Sequence, residues 1–210
     1  MPGQQEGHDV LLKVVLLGSQ GCGKTSLLRR YLAGDFNGNP AESRPTHGVK
    51  SASRILHIDG QRVKVQLWDT QGHFRVHSMA KPFVRAAAGI MVVYDVAGEA
   101  SSEGTWGMGP WQIALQHLKD VMSLTGGSAT TMLVGTKADL EEQRTVSADD
   151  AKAFAANEGL LQVETSAAGS TNVDLAFDAY FAVKEEQRQR QEELLGDDES
   201  DAEDEKEGWL

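Results

Sequence analysis

At residues 18–25 the sequence reads Gly18-Ser19-Gln20-Gly21-Cys22-Gly23-Lys24-Thr25. A glycine, four residues and then Gly-Lys-Ser/Thr form the pattern of a phosphate-binding loop between a strand and a helix. Both neighbours are present, because an apolar run from Val10 to Leu17 precedes the loop and apolar residues at helical spacing follow it from Leu27 to Leu32. The stretch therefore predicts a strand, a phosphate-binding turn and a helix, rather than a glycine-rich turn with an incidental lysine.

The residue types of this loop suit a bound polyphosphate. Its glycines let the backbone turn tightly and bring N–H groups against phosphate oxygens. The N-terminus of the following helix carries a partial positive charge, which favours an anion. Lys24 supplies a cation for the terminal phosphates, and the Thr25 hydroxyl is a hard oxygen ligand suited to Mg²⁺. We therefore expect a nucleotide-binding protein.

The rest of the chain alternates between strand and helix patterns. Asp59-Gly60 is a hairpin signal, Gly34 marks a helix end, and Pro110 and Ser147 mark helix starts. We expect an α/β fold with a mostly parallel six-stranded sheet, one antiparallel hairpin and helices on both faces. The predicted strands are Val10–Leu17, Ser51–Ile58, Arg62–Asp69, Gly89–Val96, Thr131–Gly135 and Leu160–Thr165.

Charge and composition divide the chain into three parts. The net charge is −11, and the last fifteen residues hold eight acidic residues and one lysine. An acidic run of this kind cannot bury apolar surface. We expect a flexible lead over residues 1–9, one domain over 10–195 and a disordered acidic tail over 196–210. The domain is only mildly acidic, which argues against nucleic-acid binding.

Other features predict a location inside the cell. Cys22 is the only cysteine, so no disulfide can form within the chain and a reducing, cytoplasmic compartment fits. The sequence begins Met-Pro-Gly and ends Gly-Trp-Leu, without a myristoylation or prenylation signal. We expect a monomer with no lipid anchor of its own, which contacts membranes only through partners.

Five further blocks resemble, in the same order, those of small GTPases of the Ras superfamily. The resemblance is closest to the Rab branch and covers roughly residues 10–185. It implies the phosphate-loop small GTPase fold and a switch driven by GTP and GDP with Mg²⁺. It also implies effector, exchange and activating proteins as partners, and a role in vesicle trafficking. The blocks are WDTQGHF (68–74), FVRAAAGIMVVYDV (83–96), VGTKADL (134–140), ETSA (164–167) and NVDLAF (172–177).

The resemblance also implies a set of nucleotide contacts. Asp139 accepts two hydrogen bonds that guanine offers and adenine does not, so an ATP-dependent phosphotransferase is disfavoured. The stem of Lys137 lies on the base, and the backbone N–H of Ala167 meets guanine O6. The full set is Gly18, Ser19, Gln20, Gly21, Cys22, Gly23, Lys24, Thr25, Ser26, Phe36, Thr46, Asp69, Gly72, Thr136, Lys137, Asp139, Ser166, Ala167 and Ala168.

The same resemblance implies a metal site and a switch. Thr25 and Thr46 are expected to ligate Mg²⁺, and Asp69 to support it through water. The backbone N–H of Gly72 is expected to contact the γ-phosphate. Loops that are held by the γ-phosphate are released when it is lost, which makes the two loops a switch.

The chain departs from the family at positions that govern hydrolysis. The glutamine that orients the attacking water is replaced by His73, and Gln71 lies two residues too early to substitute for it. Gln20 adds a long side chain where the family has glycine or serine. With Lys24 and Gly72 as the other catalytic candidates, we expect slow hydrolysis of GTP. A partner that supplies catalysis, or a GTP-locked or pseudo-GTPase scaffold, is the alternative.

Further departures concern recognition. Thr136 replaces an asparagine and loses one side-chain amide, and Ala168 replaces a lysine. The loop that leads from Phe36 to Thr46 is longer than usual. After it, the stretch His47-Gly48-Val49-Lys50-Ser51 differs from the Rab pattern, so the usual Rab effectors are not implied.

Overall fold

The structure is a computed structural model, and it describes residues 7–38, 45–58, 60–73, 78–99 and 107–182. These residues fall into two compact units, which divide between Val173 and Asp174. In the second unit, residues 174–182 are helical. The expected tail (196–210), most of the expected lead, and Asp59 of the hairpin signal lie outside the described residues.

One sheet organises the first unit, and the described residues give it six strands in the order β2-β3-β1-β4-β5-β6. Only the β2–β3 pair is antiparallel, and the other pairs are parallel. This arrangement confirms the predicted fold class. The strands are β1 (Val10–Gly18), β2 (Val49–Ile58), β3 (Gln61–Thr70), β4 (Gly89–Asp95), β5 (Thr130–Thr136) and β6 (Leu161–Glu164).

The helices connect the strands and begin and end at residues that favour those positions. They are α1 (Lys24–Ala33), α2 (Lys81–Arg85), α3 (Pro110–Thr125) and α4 (Ala148–Asn157), with a 3₁₀ turn at Glu141–Gln143. Gly34 ends α1 in the left-handed conformation and donates its N–H to Arg30 O. Pro110 occupies the first turn of α3, and Ser147 Oγ accepts from Asp150 N at the start of α4. No helix among the described residues is both long and apolar enough to cross a membrane.

Helices cover both faces of the sheet. Alternate residues of β1 and β4, such as Val15 and Ile90, belong to a core cluster that includes residues of α2, α3 and α4. Their neighbours Val14 and Met91 are buried as well, and α1 lies against β1 and β3. Because β4 is buried along its whole length, its sequence is a continuous apolar run rather than an alternating one.

The parallel strands end together at one edge of the sheet. Leu16 lies opposite Asp69, Asp95 opposite Thr136, and Gly135 opposite Glu164. The loops that follow β1, β3, β4, β5 and β6 therefore meet at this edge, where ligands bind in open α/β sheets. Most of the residues singled out from the sequence lie there.

Candidate functional site

The turn between β1 and α1 is shaped by glycines that no other residue could replace without strain. Gly18 has φ of 156°, and a Cβ on it would run into the carbonyl oxygen of Val93 and the sulfur of Cys22. Gly23 has φ of 95° and precedes α1, and no side chain of the described residues caps the N-terminus of that helix. The turn therefore leaves the first backbone N–H groups of the helix open to a ligand.

A cleft of about 330 Å³ opens above this turn. Phe36 and Thr46 contribute to it from the segment after α1, so the phosphate loop faces the following loop across the cleft. The lining comprises Gln20, Gly21, Gly23, Lys24, Thr25, Ser26, Arg29, Phe36, Asn37, Pro45 and Thr46.

The Lys24 side chain is a buried cation in this cleft. The residue is 5% exposed, and its Nζ donates to Gly18 O and Ser19 O, both at 2.9 Å. Nζ also lies 3.8 Å from the sulfur of Cys22. Within the described residues, no carboxylate forms an ion pair with Lys24. A buried ammonium group without a counter-charge favours an anionic ligand beside it.

Three oxygen-bearing side chains meet at the start of α1. The hydroxyls of Thr25 and Thr46 both lie against Asp69 Oδ2, at 2.6 and 3.2 Å, and are 2.9 Å from each other. The other carboxylate oxygen, Asp69 Oδ1, is buried and has no hydrogen-bond partner among the described residues. An all-oxygen set with a spare buried carboxylate oxygen is the chemistry that Mg²⁺ prefers. The residues therefore fit the expected metal.

The segment after β3 touches the phosphate loop directly. A Cβ on Gly72 would run into the backbone of Ser19 and Gln20, so only glycine allows this approach. The neighbouring Gln71 is tied to the start of β2: its N–H donates to Gly48 O at 2.8 Å, and its Oε1 accepts from Gly48 N at 3.3 Å. The backbone of residues 71–73 is therefore held against both the phosphate loop and β2.

A buried histidine on α3 supports the same segment. His117 is 2% exposed and makes a hydrogen bond to the backbone of His73. Nδ1 of His117 is buried and has no hydrogen-bond partner among the described residues. Burial lowers the pKa of His117 from 6.5 to about 4, and the charge of Lys24 acts in the same direction. His117 is neutral near pH 7.

The loops after β5 and β6 form the other end of the site. Ser166 Oγ donates to Asp139 Oδ1 at 2.5 Å and accepts from Gly169 N at 2.8 Å, which orients the exposed carboxylate. Lys137 has φ of 60° and forms an ion pair with Asp95 at 2.5 Å. Asp139, Lys137 and Ser166 do not line the phosphate cleft described above.

Thr136 connects the two ends. Its Oγ1 lies 2.5 Å from Cys22 O in the phosphate loop and 3.0 Å from Tyr94 O at the end of β4. The residue is 4% exposed, and its side chain faces Gly23. The hydroxyl thus makes a contact to the phosphate loop, although the amide expected at this position is lost.

The comparison with protein families agrees with this geometry. The model described as the Ras family matches residues 13–185. This chain belongs to the Ras family. It is 41% identical over 170 residues to the Ras-related protein Rab11E of Lotus japonicus, a match that covers 81% of this chain and 72% of that protein. The chain is therefore a Rab-like small GTPase, of a family that in general binds guanine nucleotide with Mg²⁺ and hydrolyses GTP.

Some contacts in this Ras-family chain were not predicted from the sequence. Asp95, His117 and Arg30 each contact a predicted site residue or its loop. The contact of Asp95 could have been predicted, because Asp95 ends strand β4, and β4 pairs with β5, the strand that leads to Lys137. Arg30 and His117 lie within helical patterns that show only which residues are apolar.

Proposed function

We propose that this chain is a switch that binds GTP or GDP with Mg²⁺, hydrolyses GTP slowly and works in vesicle trafficking through effector, exchange and activating proteins. The buried Lys24 ammonium at the open end of α1, which has no ion-pair partner among the described residues, carries the proposal because such a cation favours a polyphosphate. Asp139, oriented by Ser166, supports guanine as the base. The family and the Rab relative support the trafficking role.

Each end of the proposed site has a distinct task. The backbone N–H groups from Gly21 to Ser26, together with Lys24, bind the phosphates. Thr25, Thr46 and Asp69 hold Mg²⁺, which when bound offsets the negative charge of the phosphate oxygens. Thr46 and Gly72 lie on different loops, so a γ-phosphate that contacts both would fix both loops. Its loss would release them, and that change is the switch.

Slow hydrolysis follows from two side chains near the position of the γ-phosphate. His73 has an imidazole where the family has the glutamine that orients water, and a neutral imidazole has a shorter reach and one donor only. Its backbone is held by His117, so the main chain has little freedom to bring the ring closer. Gln20 adds a long side chain where Gly72 approaches the phosphate loop.

Single-turnover hydrolysis of bound GTP tests this part of the proposal. His73→Gln should hydrolyse GTP at least about tenfold faster than the unmodified protein, within the range attributed to positioning a reacting group. Gln71→Ala is the matched control, because it removes the nearby glutamine that bonds to Gly48. It should leave the rate within about twofold. Equal rates for His73→Gln and the unmodified protein would refute the assignment of His73 as the cause.

A GTP-locked scaffold with negligible turnover is the second candidate. Gln20, which lines the cleft, favours it, because a long side chain beside the phosphate loop crowds the reacting phosphate. The nucleotide that copurifies separates the two candidates. A slowly cycling switch should retain mainly GDP, and a locked scaffold mainly GTP.

A further inference from the structure

Arg30 makes four contacts that no role above requires. It lies on α1, six residues after Lys24, and is half-buried. Its Nε donates to Ala167 O at 2.7 Å and its Nη2 to Ala168 O at 3.4 Å. Its Nη1 donates to Gly34 O at 2.5 Å, and Cζ lies 5.8 Å from the centre of the Phe36 ring. One guanidinium therefore joins the helix end, the aromatic ring beside the cleft and the loop after β6.

The shape of the guanidinium is what allows these contacts. Arginine presents several N–H donors in one rigid plane, and that plane can also lie over an aromatic ring. Two edges of the plane bind carbonyls on segments that are far apart in the chain, and the ring contact adds Phe36, two residues beyond Gly34. A lysine ammonium has no fixed plane and could not keep this geometry.

Hydrogen bonds to other segments also hold the loop that Arg30 binds. Ser166 donates to Asp139, and Ser166 and Thr171 exchange two backbone hydrogen bonds at 3.0 Å. The carbonyls of Ala167 and Ala168 point the other way, toward α1 and Arg30. Within the described part of the chain, the N–H of Ala167 donates to no protein group, so it is available to a ligand.

We infer that Arg30 is a positioning residue for the guanine end of the nucleotide site. Thr171 N–H donates to Ser166 O and so fixes the planar peptide unit that carries the Ala167 N–H. Arg30 binds the carbonyls of Ala167 and Ala168, so it holds the two peptide units that follow and keeps the Ala167 backbone in place beside α1. The same guanidinium contacts Phe36 in the segment after α1. Helix α1 then sets the span between the phosphate contacts at Lys24 and Thr25 and the base contact at Ala167. This inference rests on the proposed function, because it assumes that guanine occupies the site.

The chain offers a matched control. Arg54 makes the same two kinds of contact to α1, since its Nη1 donates to Tyr31 O at 3.2 Å and its Cζ lies 4.9 Å from the Tyr31 ring centre. It has no contact with the loop of Ala167 among the described residues. Arg54→Ala therefore removes comparable support from α1 and leaves the guanine end intact.

The experiment compares two nucleotides on three variants. The full-length protein, Arg30→Ala, Arg30→Lys and Arg54→Ala are assayed for binding of GDP and of 2-aminopurine riboside diphosphate, which lacks both the O6 oxygen and the N1–H of guanine. The N1–H contact to Asp139 is lost with the analogue in every variant alike, so the difference between variants reports on the O6 contact. Arg30→Ala should raise the dissociation constant of GDP about tenfold, as expected when hydrogen bonds from a charged donor are lost. The dissociation constant of the analogue should rise far less. Arg30→Lys should resemble Arg30→Ala, and Arg54→Ala should keep the preference for GDP within about twofold of the unmodified protein.

The outcomes separate this inference from the proposed function. An unchanged preference in Arg30→Ala, or an equal loss in Arg54→Ala, overturns the positioning role while guanine binding stands. If Arg30→Ala does not fold, Arg30→Lys decides the question, because it keeps the charge and the aliphatic stem; a wild-type preference there overturns the role. If the unmodified protein binds neither nucleotide, the proposed function fails and the inference fails with it.

Discussion

Thr136→Val tests whether the hydroxyl at the end of β5 holds the phosphate loop. The substitution keeps the shape of the side chain and removes Oγ1, which lies 2.5 Å from Cys22 O and 3.0 Å from Tyr94 O. A buried acceptor that loses its donor costs about 1–3 kcal/mol. If the nucleotide-bound loop depends on this bond, GDP should dissociate about 5- to 140-fold faster.

The assay is the release of a fluorescent GDP in excess unlabelled GDP with Mg²⁺. Thr136→Ser is the control, because it keeps the hydroxyl and removes only a methyl group, and it should stay much closer to the unmodified protein. The reasoning is refuted if Thr136→Val releases GDP within about twofold of the unmodified rate. It is also refuted if the serine and valine variants release GDP equally fast.

Two further predictions follow from buried groups near the same loops. The pKa of His117 is about 4 in the folded protein against 6.5 when exposed, so the unfolded state binds a proton between these pH values. Stability should fall by up to about 3 kcal/mol from this residue as the pH drops from 6.5 to 4. Urea unfolding of His117→Gln should show a flatter profile in that window, and equal slopes would contradict the assignment. Gly72→Ala places a methyl group into the backbone of Ser19 and Gln20. It should therefore lower the affinity for GTP about tenfold or more and the affinity for GDP much less. Equal loss of both nucleotides in a binding titration would show that Gly72 does not respond to the γ-phosphate.

The sequence predicts the strands and the phosphate loop well because their signals are local. Gly18 and Gly23 adopt the backbone angles that glycine permits, and α1 begins at Lys24 as the pattern requires. Strand limits are less local. Strand β2 begins at Val49, two residues before the predicted Ser51, because Val49 pairs with Thr70 across the hairpin.

The parts of the site that the sequence did not predict depend on contacts between distant residues. Arg30 and Ala167 are 137 positions apart, and helical spacing on α1 shows only that Arg30 is polar. His117 lies on α3 and contacts the backbone of His73, which is distant in sequence. A histidine in a helical pattern does not by itself show whether it packs in the core or supports a neighbouring loop. The contact between Thr136 and Cys22 depends on the ends of β1 and β5 lying at the same edge of the sheet, which the local sequence does not specify.

The central claim is that a guanine nucleotide binds between Lys24 and Asp139, and thermal unfolding with added nucleotide tests it most directly. With Mg²⁺ and GDP at about one hundred times its dissociation constant, the protein should gain about 2.7 kcal/mol of stability, and its melting temperature should rise by several degrees. ADP at the same concentration should leave the melting temperature unchanged. The claim is contradicted if GDP gives no increase on protein freed of nucleotide, or if ADP stabilises it equally.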